Sequence, residues 1–161
     1  MIKKFNLLFI TFFKIGKIKF APGTIASLIT CLLFLLIINF FNIVILFFCT
    51  LFIALYSFIA INNSFDSFDS QDPQEIVIDE VVGQMLPLLA IPIYENLYMA
   101  PKEYYCAAAF VLFRLFDILK PFPINYVDNN TQGSLGVMLD DIIAGVFTII
   151  ILIIIFFFIG A

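Results

Sequence analysis

The sequence predicts an all-α fold, a polytopic helical membrane bundle of about four to five membrane helices. Of the 161 residues, 63% are hydrophobic and 12% are charged, and the mean hydropathy is +1.13. Soluble domains carry about twice that share of charged residues. Apolar runs recur along the chain with short polar segments between them, and one core of this size cannot enclose them all. We therefore expect a single domain, residues 1–161, with much of its surface in lipid.

The first two apolar runs predict a helical hairpin. They cover residues 25–38 and 43–61, with Asn39 and Asn42 between them. As helices they would be roughly 20 and 30 Å long, and the second is long enough to cross a bilayer. The polar residues 62–75 that follow are expected to form an extramembrane loop.

Three more apolar runs complete the expected bundle. Residues 76–94 contain Pro87 and Pro92, so a kinked helix is expected there. Residues 104–119 end just before two prolines, which stop the helix. Residues 142–161 are almost purely apolar and are expected to span the membrane most securely.

Basic residues are concentrated near the N-terminus. Five of the eight lysines and arginines precede residue 20, with no acid among them, namely Lys3, Lys4, Lys14, Lys17 and Lys19. Such a cluster marks the cytoplasmic side of a membrane protein and favours contact with anionic head groups. No basic stripe follows, so nucleic acid is not an expected partner. Five crossings from this side would bring the main polar clusters to the cytoplasmic face.

The residue types that are absent restrict the chemistry. The chain has no histidine, which removes the commonest general base and the commonest transition-metal ligand. Cys31, Cys49 and Cys106 lie in apolar runs and are expected to be small buried side chains, not a disulfide framework. No Walker loop occurs. Carboxylates, Arg, Lys and backbone groups must therefore carry any catalysis.

Asp79 and Glu80 lie among β-branched apolar residues near the start of the third run. Two adjacent buried carboxylates call for a cation, because an unpaired charge is costly away from water. Gln84 falls on the same helical face as Glu80 and favours a polar site. The alternative is a helix start at the interface with both acids in water.

Arg114, Asp117 and Lys120 are spaced by three residues at the end of the fourth run. On a helix this spacing turns each charge by about 60° and predicts a charged stripe. Arg is well shaped for bidentate phosphate binding, and Lys adds a second positive charge. The alternative is a local Arg–Asp ion pair beside a lysine whose charged end reaches water.

Asp140 and Asp141 precede the last apolar run, between Gly136 and Gly145. The alternative role for this pair is a cap and dipole partner at a helix N-terminus, for which one Asp would suffice. The glycines permit close helix approach or tight loop geometry. Together with the acids of the third run, this pair offers hard oxygen ligands, which favours Mg²⁺ over zinc or copper.

Mg²⁺ beside Arg and Lys is typical of phosphoryl transfer. The alternative function is a small cation transporter, because carboxylates within a membrane also mark ion paths. A transporter needs acids through the depth of the bilayer, whereas the centres of the first, second and last runs carry no ionisable group. A scaffold role would leave the charged residues unexplained.

Four motifs, in this order, resemble those of the phosphatidylglycerophosphatase A family over nearly the whole chain. They are Ala21–Ser27, Ile76–Gly83, Phe113–Ile124 and Gly136–Gly145. The resemblance implies a helical enzyme of the bacterial cytoplasmic (inner) membrane that hydrolyses phosphatidylglycerophosphate to phosphatidylglycerol with Mg²⁺ as cofactor. The implied partners are this lipid substrate and the surrounding membrane lipids, and self-association through the spans is compatible with it.

The resemblance also implies roles for particular residues. The expected metal ligands are Asp79, Glu80, Asp140 and Asp141. The expected substrate-binding residues are Thr24, Arg114 and Lys120. The expected catalytic residues are Asp117, Arg114 and Lys120, with Asp117 either orienting Arg114 or helping to activate the attacking water.

Pro22, Gly23 and Pro121 match the family pattern as well. The chain departs from that pattern just before Pro22, where residues 14–20 replace a stretch usually rich in Gly and Ser and keep only Gly16. We therefore expect Pro22–Thr24 to be at least the turn that enters the first span.

Overall fold

The computed structural model describes residues 2–68, 73–98 and 101–159. No strand occurs among these residues, and the predicted all-α class is confirmed. Their helices are α1 (Ile2–Ile10), α2 (Pro22–Ile37), α3 (Ile43–Asn62), α4 (Ile78–Leu89), α5 (Ile91–Tyr98), α6 (Lys102–Leu119), α7 (Ile124–Asn130) and α8 (Gly133–Ile159). Short 3₁₀ turns lie at Ile15–Lys17 and Phe65–Ser67. Part of the expected polar loop, residues 69–72, lies outside the described residues.

Every apolar run contains helix, but the third run is divided. The kinked helix expected over residues 76–94 is instead two helices, because α4 ends at Leu89 and α5 begins at Ile91. Pro92 lies in the first turn of α5, where a missing N–H is harmless. The sequence interpretation did not identify α1 and α7 as helices.

Among the described residues, two helices are long and apolar enough to cross a membrane, namely Ile43–Asn62 and Gly133–Phe158. Their outer faces carry large exposed apolar side chains, such as Phe52 at 70% and Phe158 at 75%. These features indicate membrane association. At 1.5 Å per residue, α4 is only about 18 Å long, and the four to five spans remain a prediction.

Helix α4 lies at the centre of the bundle and contacts α2, α3, α6 and α8. Pro87 inside α4 cannot donate to the carbonyl of Gly83. That carbonyl instead faces α8, where a Cβ on Gly145 would lie 2.5 Å from it. The close helix approach expected at Gly145 is confirmed, and it brings the backbones of α4 and α8 together beside Asp141.

The N-terminal segment is fastened to the segment that enters α4. The Val77 N–H donates to the Ile10 carbonyl at 3.0 Å. Gly16 packs so closely on the Glu75 carbonyl that a Cβ there would overlap it. In α1, the buried amide of Asn6 accepts a hydrogen bond from the Tyr56 hydroxyl of α3 at 2.8 Å. These contacts set the position of residues 11–21 relative to the start of α4.

Candidate active site

A polar cavity of about 710 Å³ opens where α2 and α4 begin, where α6 ends, and beside α7 and the first part of α8. Every residue that the sequence interpretation assigned to the site lines it. Residues that are far apart in sequence therefore converge on one cavity.

Three acids form the deepest group of this cavity. Asp79 and Glu80 lie in the first turn of α4, and Asp141 faces them from α8, with one carboxylate oxygen from each within 4.8 Å of the others. Asp79 is 8% exposed and Asp141 is 3% exposed. The alternative for Asp79 and Glu80 is correct that both acids lie at a helix start, but it is wrong that both stand in water, because Asp79 is buried.

The acid group has the donor set of a cation site. Asp79 Oδ1, Glu80 Oε2 and Asp141 Oδ1 are buried and find no hydrogen-bond partner among the described residues. Buried carboxylate oxygens without donors are costly unless a cation accompanies them. Hard oxygen ligands gathered from two helices fit Mg²⁺.

Asp140 and Asp141 lie inside α8, which begins at Gly133. The role of a helix cap is therefore wrong for both. Consecutive residues of a helix point about 100° apart. The side chains of Asp140 and Asp141 therefore point in different directions. Asp141 belongs to the group with Asp79 and Glu80, whereas Asp140 binds Lys120.

Arg114 forms an ion pair with Asp117 one turn later on α6. Both side chains are largely buried, at 14% and 13% exposure. The local ion pair weighed as an alternative is thus present, and both residues also line the cavity. Arg114 Nε has no hydrogen-bond partner within the described part of the chain, so it is available to an anionic ligand.

Lys120 does not continue the predicted stripe. Helix α6 ends at Leu119, and Lys120 has a left-handed backbone with φ of +41°. Its Nζ donates to Asp128 at 2.6 Å and to Asp140 at 2.7 Å. Burial alone lowers the pKa of Lys120, but the hydrogen bonds to the two acids outweigh it and raise the pKa above its usual value. Lys120 is therefore a fixed cation of the cavity wall.

The start of α2 reaches the acids of α4 through a glycine. Helix α2 begins at Pro22, and Ala21 before it has a left-handed backbone with φ of +45°. A Cβ on Gly23 would overlap Glu80 Oε1. The small residue lets α2 approach Glu80 and brings Thr24 to the cavity wall.

Two charged residues of the cavity were missed by the sequence interpretation. Lys19 and Asp128 both line it. Asp128 lies at the polar end of α7, a helix that was not expected, and its link to Lys120 depends on the tertiary fold. Lys19 was assigned only to the N-terminal basic cluster. Gln84 is fully buried further along α4 and does not line the cavity.

The apolar helices indicate a membrane-associated protein, and its cavity gathers acids beside bases. Sequence comparison gives its enzyme class. The sequence model of phosphatidylglycerophosphatase A matches residues 8–156. The chain belongs to the phosphatidylglycerophosphatase A family and is a phosphatidylglycerophosphatase by class.

Curated relatives agree with this family. A Haemophilus influenzae phosphatidylglycerophosphatase A is 35% identical, with 84% of this chain and 79% of the relative aligned. An Escherichia coli phosphatidylglycerophosphatase A is 41% identical over 47% of this chain and 40% of its own length. A Bacteroides thetaiotaomicron protein, provisionally named a phosphatidylinositol-3-phosphatase, is 36% identical, with 88% of this chain and 87% of the relative aligned. No solved structure is significantly similar to the chain.

Proposed function

We propose that this chain is a Mg²⁺-dependent lipid phosphatase that hydrolyses phosphatidylglycerophosphate to phosphatidylglycerol and phosphate. The observation that carries the proposal is the group of Asp79, Glu80 and Asp141, whose unpartnered oxygens face a cavity that also contains Arg114 and Lys120. The names of the Haemophilus influenzae and Escherichia coli relatives support the substrate.

Asp79, Glu80 and Asp141 are the residues that would hold Mg²⁺, with Asp140 beside them. A bound Mg²⁺ supplies neutralisation of phosphate charge and polarisation of a phosphoryl oxygen. The carboxylates contribute ligands from two helices that meet at Gly83 and Gly145. Their geometry therefore depends on the packing of α4 against α8.

Arg114 and Lys120 would bind the terminal phosphate of the substrate, and Thr24 would contact it from α2. The ion pair with Asp117 fixes the orientation of the Arg114 guanidinium, which supports the orienting role of Asp117. In the reaction, water provides the new oxygen on phosphorus and the P–O bond to the glycerol breaks. The glycerol oxygen takes up a proton.

The substrate keeps its acyl chains in the bilayer, so its phosphate must be met at the membrane surface. The apolar faces of α3 and α8 favour contact with acyl chains. The lysines before residue 20 favour the cytoplasmic side of a bacterial inner membrane. This placement agrees with a cavity at one end of the bundle.

A second candidate substrate is phosphatidylinositol 3-phosphate, because the Bacteroides thetaiotaomicron relative is named for it. Both lipids present a phosphate monoester on a polar head group, and a cavity of about 710 Å³ has room for either. A cation transporter fits less well, since the ligand acids are gathered in one cavity beside Arg114 and Lys120.

The decisive assay measures phosphate release by purified protein from phosphatidylglycerophosphate, phosphatidic acid and phosphatidylinositol 3-phosphate, with Mg²⁺ or with EDTA. We expect Mg²⁺-dependent release that is fastest with phosphatidylglycerophosphate. Asp79→Asn and Asp141→Asn should remove it, whereas Asp66→Asn, an exposed acid outside the cavity, should not.

Full activity in both Asp→Asn variants would contradict the metal assignment. Mg²⁺ uptake into vesicles without any phosphate release would instead establish the transporter.

A further inference from the structure

The cavity has room and charge for more than one phosphate. Its volume of about 710 Å³ lies in the range of sites that enclose a whole small ligand, about 300–1,000 Å³. Three basic residues line it, Lys19, Arg114 and Lys120. Arg114 is paired with Asp117, and Lys120 is paired with two acids. Lys19 forms no ion pair within residues 2–68, 73–98 and 101–159.

The backbone around Lys19 is held on both sides. On one side, Gly16 packs against the Glu75 carbonyl, close to the start of α4. On the other side, Ala21 adopts a left-handed conformation before α2 begins. That conformation is unfavourable for a residue other than glycine, so the surrounding contacts must maintain it. Lys19 is thus presented to the cavity by a fixed segment.

The residue after Lys19 favours a position near the lipid. This residue, Phe20, is 83% exposed, and aromatic side chains favour the interface between membrane and water. Phosphatidylglycerophosphate has two phosphates, a terminal monoester and a diester that adjoins the acyl chains. With the monoester at Arg114 and Lys120, the diester lies toward the lipid.

We propose that Lys19 binds the diester phosphate of the substrate and makes the enzyme selective for lipids with two phosphates over lipids with one. The proposal rests on the proposed function, because it assumes that Arg114 and Lys120 hold the terminal monoester. An exposed lysine without an acidic partner is a compact charge available to a ligand. Lys19 is a specificity residue and takes no part in breaking the P–O bond.

The test uses Lys19→Met in the full-length protein, which removes the charge and keeps an apolar stem. Titration calorimetry measures the binding of two soluble probes, deacylated phosphatidylglycerophosphate with two phosphates and glycerol 3-phosphate with the monoester alone. We expect the first to bind about fivefold more weakly and the second unchanged. The KM for phosphatidylglycerophosphate should rise by about the same factor, with kcat within about twofold.

Two further variants separate a binding site from general surface attraction. Lys19→Arg keeps the charge and should restore the affinity for the two-phosphate probe. Lys17→Met removes an equally exposed charge that does not line the cavity, and should change the affinity for either probe by less than about 1.5-fold.

Equal weakening of both probes, the same effect in Lys17→Met, or no effect in Lys19→Met would overturn the role of Lys19. A wild-type protein that binds the two-phosphate probe through Lys19 but releases no phosphate from the lipid would refute the proposed function alone.

Discussion

Lys120 and Asp140 lie 2.7 Å apart, from Nζ to Oδ2, and join the end of α6 to the interior of α8. The same ammonium group lies 2.6 Å from Asp128 of α7. One cation therefore connects three helices in the cavity wall. The two neighbouring acids of α8 therefore have different partners. Asp140 is paired with Lys120, whereas Asp141 faces Asp79 and Glu80.

Because their partners differ, replacing Asp140 and replacing Asp141 should change the effect of Mg²⁺ on the melting temperature differently. Asp141→Asn should abolish the increase in melting temperature that Mg²⁺ gives the detergent-solubilised protein, whereas Asp140→Asn should keep at least half of it. At ten times its Kd, a bound ion stabilises the folded state by about 1.4 kcal/mol. Thermal unfolding with and without Mg²⁺ measures the effect. Equal responses in the two variants would contradict the different roles of Asp140 and Asp141.

Replacing Lys120 should sharply lower activity. Lys120→Met leaves Asp128 and Asp140 without their shared partner and removes a charge from the proposed phosphate site, so kcat/KM should fall by about 100-fold or more. The matched control is Lys102→Met, since Lys102 bonds to Asn39 and lies outside the cavity lining. Phosphate release is measured for both variants. Similar losses of activity in Lys120→Met and Lys102→Met would point to a general charge effect.

Gly23→Ala should impair catalysis while the fold survives. The added Cβ would overlap Glu80 Oε1, and Glu80 can move away because this atom ends a flexible side chain. We expect kcat/KM to fall by about tenfold or more, with a melting temperature within about 2 °C of the wild type. A large loss of melting temperature would show that Gly23 serves packing, not the position of Glu80.

Gly145→Ala should have the opposite effect and lower stability more than activity. The added Cβ would lie 2.5 Å from the Gly83 carbonyl, a backbone atom that moves only if α4 and α8 separate. The higher helix propensity of Ala, worth about 1 kcal/mol, should be outweighed. A melting temperature lower by about 4–8 °C corresponds to about 2 kcal/mol.

Val146→Ala is the control for this prediction, because Val146 is an exposed neighbour on α8. A Gly145→Ala protein as stable as the wild type would show that the helices have room to adjust.

The sequence predicted which residues share the cavity better than it predicted the helix boundaries around them. Helical fold class followed from apolar runs, and the cavity residues followed from charges that are costly inside such runs. The end of the fourth run at residue 119 was predicted correctly, but the regular spacing of Arg114, Asp117 and Lys120 extended the charged stripe one residue past the end of α6. Asp128 was missed because it is joined to Lys120 by tertiary packing of α7.

The boundary of α8 shows why the role of Asp140 and Asp141 was open. Residues 133–141 are mixed in polarity, so hydropathy placed the start of the last helix after them. The structure includes them in α8, which turns two suspected caps into side chains of the cavity. Burial of Asp79 was expected from its β-branched apolar neighbours, and the packing of α2, α6 and α8 around α4 provides it.

The cavity draws Thr24 from α2, Asp79 from α4, Arg114 from α6 and Asp141 from α8. Neither the N-terminal half nor the C-terminal half of the polypeptide contains all four residues. With the roles proposed for these groups, a chain without α8 lacks Asp141 and should release no phosphate. Phosphate release would then report that the last helix has joined the others.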